Sequence, residues 1–142
     1  MKVVERIFEH RIWQHIDIDD MQFRFMKGKG TIDTIFIVRQ MQEKFRAKGK
    51  KLYFGFLSLE KAFDRVLREV IRWAVCMLGV EEWLLSSVMS VYTGAKTVVR
   101  TVYGNSNGLE VKVSMHKGST LSPSLFVIAM ESLSREFQVA LP

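Results

Sequence analysis

Apolar side chains recur along this chain at two periods, and each change of period marks an element. Val4, Ile7, Phe8 and Ile12 stand three or four positions apart, which predicts an amphipathic helix over residues 2–15 with Glu5, Arg6 and Glu9 on its outer side. A second helix is expected from Thr31, a good N-cap with Asp33 in the first turn, to about Ala47; it would bury Ile35, Val38, Met41 and Phe45. Leu52 to Leu57 is a near-continuous apolar run, too short for a helix and rich in aromatic rings, so it reads as a strand buried on both faces. At Ser58 the pattern breaks. The turn that follows carries Glu60, Lys61 and Asp64 and sets polar side chains at a strand's end, where enzymes of mixed α and β structure often place their chemistry.

Downstream, Val70, Ile71, Ala74, Val75 and Leu78 give a core stripe to a helix from Arg68 to Leu78, ended by Gly79. Another helix begins near Glu81 and Glu82, whose charges suit its N-terminal dipole, and continues to about Tyr92. The Trp, Leu and Met residues of both are expected in the core. Thr97–Tyr103 and Leu109–Val113 then alternate around Gly104–Gly108, which predicts a β-hairpin with one wet face carrying Arg100 and Lys112. His116 to Pro123 is a glycine- and hydroxyl-rich loop. Ser122 is expected to cap a helix whose first residue is Pro123 and whose stripe is Leu125, Ile128 and Leu133.

Composition narrows the class. With 142 residues and 48% hydrophobic content the chain can build one core of ordinary size, and one domain is the expected count. Lys and Arg number 21 against 15 Asp and Glu, a net charge of +6, so a polyanion such as nucleic acid is a plausible partner. The single cysteine, Cys76, excludes a disulfide or cysteine-metal framework and is read as a small core residue in a reducing compartment. His10 and His15 lack the neighbours of a metal site and are read as partly exposed helix residues. The N-terminus has no apolar signal region, and no uncharged stretch approaches the roughly 20 residues of a membrane span. An intracellular protein, cytoplasmic or nuclear, is expected.

Two basic stretches remain open at this level. Between residues 22 and 31, Phe23, Arg24, Phe25, Lys27, Gly28, Lys29 and Gly30 form either a glycine turn or a loop whose amides and lysines meet phosphates beside a stacking ring. Lys44, Arg46, Lys48, Lys50 and Lys51 either complement a helix C-terminus or contact a phosphate backbone. Asp19 and Asp20 are read as a solvated connector.

Leu59-Glu60-Lys61-Ala62-Phe63-Asp64-Arg65-Val66 resembles the first palm motif of reverse transcriptases from LINE-type, non-LTR retrotransposons. Phe25-Met26 with Gly28, Gly30 and Thr31, the segment Ile35–Phe45, Leu78-Gly79-Val80, and Gly118 to Pro123 followed by Leu125-Phe126 match that family in the same order. The resemblance covers roughly residues 1–138. It implies an α+β fold, the fingers and partial palm of a right-hand polymerase, with about 1–50 fingers-like, 51–138 partial palm, and the hairpin 97–113 inside the palm. It also implies RNA-directed DNA polymerase ancestry, Mg²⁺ as the family's cofactor, and an RNA template or RNA/DNA hybrid as partner. Lys27, Lys29, Lys117, Gly118 and Ser119 fall where the family contacts nucleic acid or nucleotide, and Phe63 where an aromatic gates the sugar.

The departures from the family pattern bear on activity. Ser58 stands where the family has a metal-holding aspartate. No Asp follows Asp64, so the aspartate-pair hairpin that completes the family's site is missing. Two cations about 4 Å apart need several carboxylates, and a serine hydroxyl is a neutral substitute. Glu60 and Asp64 are weak candidates for a single Mg²⁺, with capping of the next helix as the other reading, and no tight metal binding is expected. Arg24, Lys27, Leu67, Ser114 and Lys117 replace the family's usual Gly, Pro, Pro, Gly and Gln. The expected function is thus a retrotransposon-derived reverse transcriptase fragment, inactive alone. The alternatives are a non-catalytic basic RNA- or DNA-binding module, or a decayed fragment without function. An incomplete palm is expected to expose apolar surface and an unpaired edge. No membrane association is expected, and the oligomeric state is open.

Overall fold

The computed structural model describes residues 2–111, 113 and 115–140, with side chains to residue 137. In chain order its elements are α1 (Lys2–Trp13), α2 (Thr31–Ala47), α3 (Ala62–Arg65), α4 (Arg68–Met77), α5 (Glu82–Tyr92), the short strands β1 (Lys96–Thr97), β2 (Arg100–Thr101), β3 (Gly104–Asn105) and β4 (Leu109–Glu110), and α6 (Leu121–Ala140). They form two compact units, residues 1–18 with 61–142 and residues 19–60.

The larger unit is built around α6. Leu121, Leu125, Val127 and Ile128 are fully buried, as are Ile71, Ala74 and Val75 of α4, Leu84, Leu85 and Val88 of α5, and Ile12 of α1. α6 packs most extensively against α4, and α1 lies against α6 and α5. Each fully buried Leu or Ile contributes about 1.5–3 kcal/mol, so this cluster dominates the stability of the unit. Two of the polar groups it covers are paired: Glu131 accepts from Arg135 Nε at 2.8 Å, and Ser132 Oγ donates to the Ala74 carbonyl at 3.4 Å.

α4 ends as its sequence predicts. Gly79 takes φ +77°, its amide donates to the Cys76 carbonyl at 3.0 Å, and the Val80 amide donates to the Val75 carbonyl at 3.3 Å. Those two bonds are a Schellman motif, and burial of Val75 and Val80 supplies its apolar contact. Val70 and Leu78 are only half-buried, and Cys76 is exposed rather than in the core, because it falls on the solvent side of the stripe set by Ile71, Ala74 and Val75.

The buried stripe of α1 differs from the expected one. Glu5, Phe8, Glu9, Ile12 and Trp13 turn inward, while Val4 and Ile7 are 47% and 50% exposed. The inward residues keep helical spacing, and the shift by one position brings the two carboxylates against hydroxyl donors on and before α6. The hairpin differs too. β1 pairs with β4 and β2 with β3, so the chain reverses at Val102 and Tyr103, not at Gly104–Gly108. Residues 98–99 on one limb face 106–108 on the other, a one-residue bulge that splits the ladder. Both limbs are exposed on both faces, so Arg100 has no dry side opposite it; Lys112 and Ser114 lie outside the described residues.

In the smaller unit α2 has the expected bounds, yet none of its residues is buried; Ile35 is 47% and Met41 40% exposed. Its N-cap is Gly30, not Thr31: the Gly30 amide donates to Asp33 Oδ2 at 2.7 Å, closing the first turn. The predicted buried strand at Leu52–Leu57 is absent. Residues 51–59 are irregular, with Tyr53 83% and Phe56 90% exposed. A strand persists only where a neighbour pairs its amides and carbonyls, and among the described residues no segment pairs with this one. Phe54 and Phe56 stack on each other instead, centroids 6.2 Å apart. No described helix is long and apolar enough to cross a membrane.

Candidate nucleic-acid interface

Two places gather the sequence-predicted residues. In the smaller unit, Phe23, Arg24, Phe25, Lys29, Thr31 and Thr34 line an open cleft of about 570 Å³ at the start of α2. Phe25 sits at φ +59° and Gly28 at +77°. The second suits glycine, whereas the first costs a side-chain-bearing residue about 1–2 kcal/mol and turns the chain back toward the helix. Arg24 lies over the Phe25 ring at 5.0 Å and Lys29 over the Phe23 ring at 5.3 Å. The cleft therefore combines cations, ring faces and a helix N-terminus, the three features that suit a phosphate with an adjoining base. Lys29 also donates to the Asp20 carbonyl and lies 3.6 Å from the Asp20 carboxylate. Asp20 is fully exposed, and such surface pairs contribute little, so a phosphate can displace it. Lys27 is exposed and lies outside the cleft lining.

In the larger unit, the loop before α6 carries Lys117, Gly118 and Ser119. Gly118 takes φ +82°. Ser119 Oγ accepts from the Leu121 and Ser122 amides at 3.2 and 3.3 Å, so Ser119, not Ser122, caps α6. Pro123 follows inside the first turn, where a missing amide costs nothing. Ser122 is buried and shares a 2.9 Å hydrogen bond with the Tyr92 hydroxyl. Burial pushes the Tyr92 phenol above its ordinary value of 10.0; its hydrogen bond with Ser122 works the other way, and the Glu5 charge adds to the rise. The Tyr92 ring stacks on His116, centroids 4.5 Å apart.

Lys117 is exposed, and its ammonium forms a surface ion pair with Asp64, 2.9 Å from Oδ1, which a ligand phosphate would have to displace. Asp64 is consequently an ion-pair partner, not a cap. α3 is preceded by Lys61 in the left-handed region, φ +50°, and α4 by Leu67, neither bonding through its side chain. Phe63 packs on Phe126 with centroids 5.5 Å apart, and its carbonyl accepts from the Met115 amide at 3.1 Å. Ser58 and Glu60 are both exposed in the smaller unit.

A family model described as reverse transcriptase (RNA-dependent DNA polymerase) matches residues 1–141. The chain belongs to the reverse transcriptase family. The domain is 28% identical over 130 residues to a retrovirus-related Pol polyprotein from the type-1 retrotransposable element R2 of Nasonia vitripennis, covering 92% of this chain and 13% of that protein. It is 29% identical over 104 residues to the R2 counterpart of Popillia japonica, covering 73% and 17%. A transposon TX1 uncharacterized 149 kDa protein of Xenopus laevis is 25% identical over 104 residues, covering 73% and 8%. The reverse transcriptase domain thus spans less than a fifth of each of these non-LTR retrotransposon relatives. No solved structure matches it.

Reverse transcriptases generally use divalent metal, and the residues present do not fit such a centre. Among the described residues no three His, Cys, Asp or Glu side chains gather in a group that could hold a metal ion. Ser58 supplies a neutral hydroxyl, and the Asp64 carboxylate is paired at the surface with Lys117.

Sequence reasoning missed Glu5 and Tyr92. Glu5 is 6% exposed and accepts from Ser119 and Thr120. Glu9 accepts from Ser124 Oγ at 2.8 Å, and Trp13 Nε1 donates to the same hydroxyl at 3.2 Å. One signal was available. The loop and first turn of α6 are crowded with hydroxyls, and α1 offers carboxylates at positions 5 and 9 on one face.

Proposed function

We propose that this chain is the fingers and part of the palm of a retrotransposon reverse transcriptase, and that it holds single-stranded RNA or an RNA/DNA hybrid without polymerising on its own. The observation that carries this reading is the cleft of Phe23, Arg24, Phe25 and Lys29 at the start of α2. Its rings and cations suit an unpaired base and its phosphate, and the net charge of +6 favours a polyanion over other ligands. Lys117, Gly118 and Ser119 are a second contact, where an exposed cation and a glycine with no side chain admit a phosphate closely. Phe63 keeps the aromatic character of a sugar gate, but its ring packs on Phe126. Ser58, a neutral hydroxyl where the resembled family has a metal-holding aspartate, argues against catalysis by this chain alone.

Titration of a labelled single-stranded RNA with the purified chain tests the reading. Binding should weaken as salt rises, with a slope of about −0.7 per phosphate contact in a log–log plot. Arg24→Ala should cost about tenfold in affinity, the loss of one charge-assisted hydrogen bond. A salt-independent affinity, or an Arg24→Ala variant that binds as the parent does, would remove the cleft from the interface.

A further inference from the structure

Glu5 is a buried carboxylate with three donors on one loop. Its Oε2 accepts from Ser119 Oγ at 2.9 Å, from the Thr120 amide at 3.1 Å and from Thr120 Oγ1 at 3.5 Å. Donor and acceptor stand 114 and 115 positions apart in the chain. Removing a carboxylate from water is tolerated only where other donors replace the water, and these do. Ser119 donates to Glu5 and, with the same oxygen, accepts from the first amides of α6. Donation to a carboxylate makes that oxygen the better acceptor, so the two bonds support each other. On its other side the loop is held by His116 stacked on buried Tyr92. Lys117 and Gly118, the exposed tip, are thereby fixed at both ends.

We infer that Glu5 is a positioning residue for nucleic-acid contact: its carboxylate presets the loop of Lys117, Gly118 and Ser119 in the shape that meets a phosphate. The inference deepens the nucleic-acid reading given above and rests on it. The sign of the effect separates positioning from simple charge. A carboxylate near an anion-binding loop repels the ligand, so on Coulomb grounds alone its neutralisation strengthens binding. Positioning demands the opposite, because a loosened loop must be ordered again on binding.

The test uses Glu5→Gln, which removes the charge and keeps the size, with Glu5→Asp, which keeps the charge and shortens the reach. Each is assayed for affinity toward a short labelled single-stranded RNA, and for amide hydrogen exchange at residues 118–121. A melt confirms that the variant is folded at the assay temperature, so that loss of global stability alone cannot lower the affinity. Both variants are expected to bind about three- to tenfold more weakly and to exchange Thr120 faster. Tighter binding by Glu5→Gln, or exchange unchanged in the folded variants, overturns the positioning role. Lys117→Ala separates the two layers. If it binds as the parent does while Glu5→Gln exchanges faster, the loop is not a nucleic-acid contact, and Glu5's part in binding falls with it.

Discussion

Lys117 Nζ lies 2.9 Å from Asp64 Oδ1, joining the loop before α6 to the short helix α3. The pair is solvent-exposed, with the lysine side chain 74% and the aspartate side chain 42% accessible, so it contributes less than about 1 kcal/mol to folding. Its weight is functional. It occupies a cation that the nucleic-acid reading needs and a carboxylate that a metal site would need.

Asp64→Asn should therefore release Lys117 and tighten RNA binding about two- to fivefold at low salt, with the gain shrinking as screening rises. Lys117→Ala should weaken binding by a similar factor. Anisotropy titrations at two salt concentrations check both. Weaker binding by Asp64→Asn would mean that Asp64 itself serves the ligand.

Tyr92 makes stability depend on alkaline pH. Its folded-state pKa is raised above the ordinary 10.0 chiefly by burial, so the native state keeps its proton where the unfolded chain loses it. That contribution is fully present below pH 10.0 and is lost as pH rises through the folded value. Urea midpoints measured from pH 9 upward should fall more steeply for the parent than for Tyr92→Phe. The variant should also lose about 1 kcal/mol at neutral pH with the Ser122 hydrogen bond. Parallel curves for the two proteins would show that the phenol ionises normally.

Two truncations test where the core lies. Leu125 is fully buried in α6, and Leu125→Ala should cost about 2–5 kcal/mol. Phe56 is 90% exposed, and Phe56→Ala should change stability by no more than about 0.5 kcal/mol. Chemical denaturation of the two variants is the check. A large cost at Phe56 would put residues 52–57 back in a buried strand.

Residues whose environment is set by local chemistry were legible in the sequence. Gly79 ended α4 because only a left-handed residue closes a Schellman motif, and Leu125 and Ile128 fell inside because α6 is flanked by other helices. The bounds of α2 also followed from spacing and first-turn chemistry, but its burial did not, since burial depends on what packs against a stripe and not on the stripe. Leu52–Leu57 failed for the same reason: an apolar run implies a strand only if partners exist to pair it. Glu5 was hidden by an assumption that charge faces solvent. Its burial depends on Ser119 and Thr120, more than a hundred positions away, and the shared face of Glu5 and Glu9 on α1 does not by itself say which partners they meet. The family motifs were legible throughout, and the match over residues 1–141 agrees with them.

Magnesium-dependent primer extension on an RNA template tests the central claim most directly, run with the purified chain and with Ser58→Asp. Neither should extend the primer, because one restored carboxylate cannot hold two cations about 4 Å apart. Extension by the parent chain, abolished by EDTA, would contradict the claim outright. Extension by Ser58→Asp alone would show that the remaining metal ligands come from carboxylates already present in the chain.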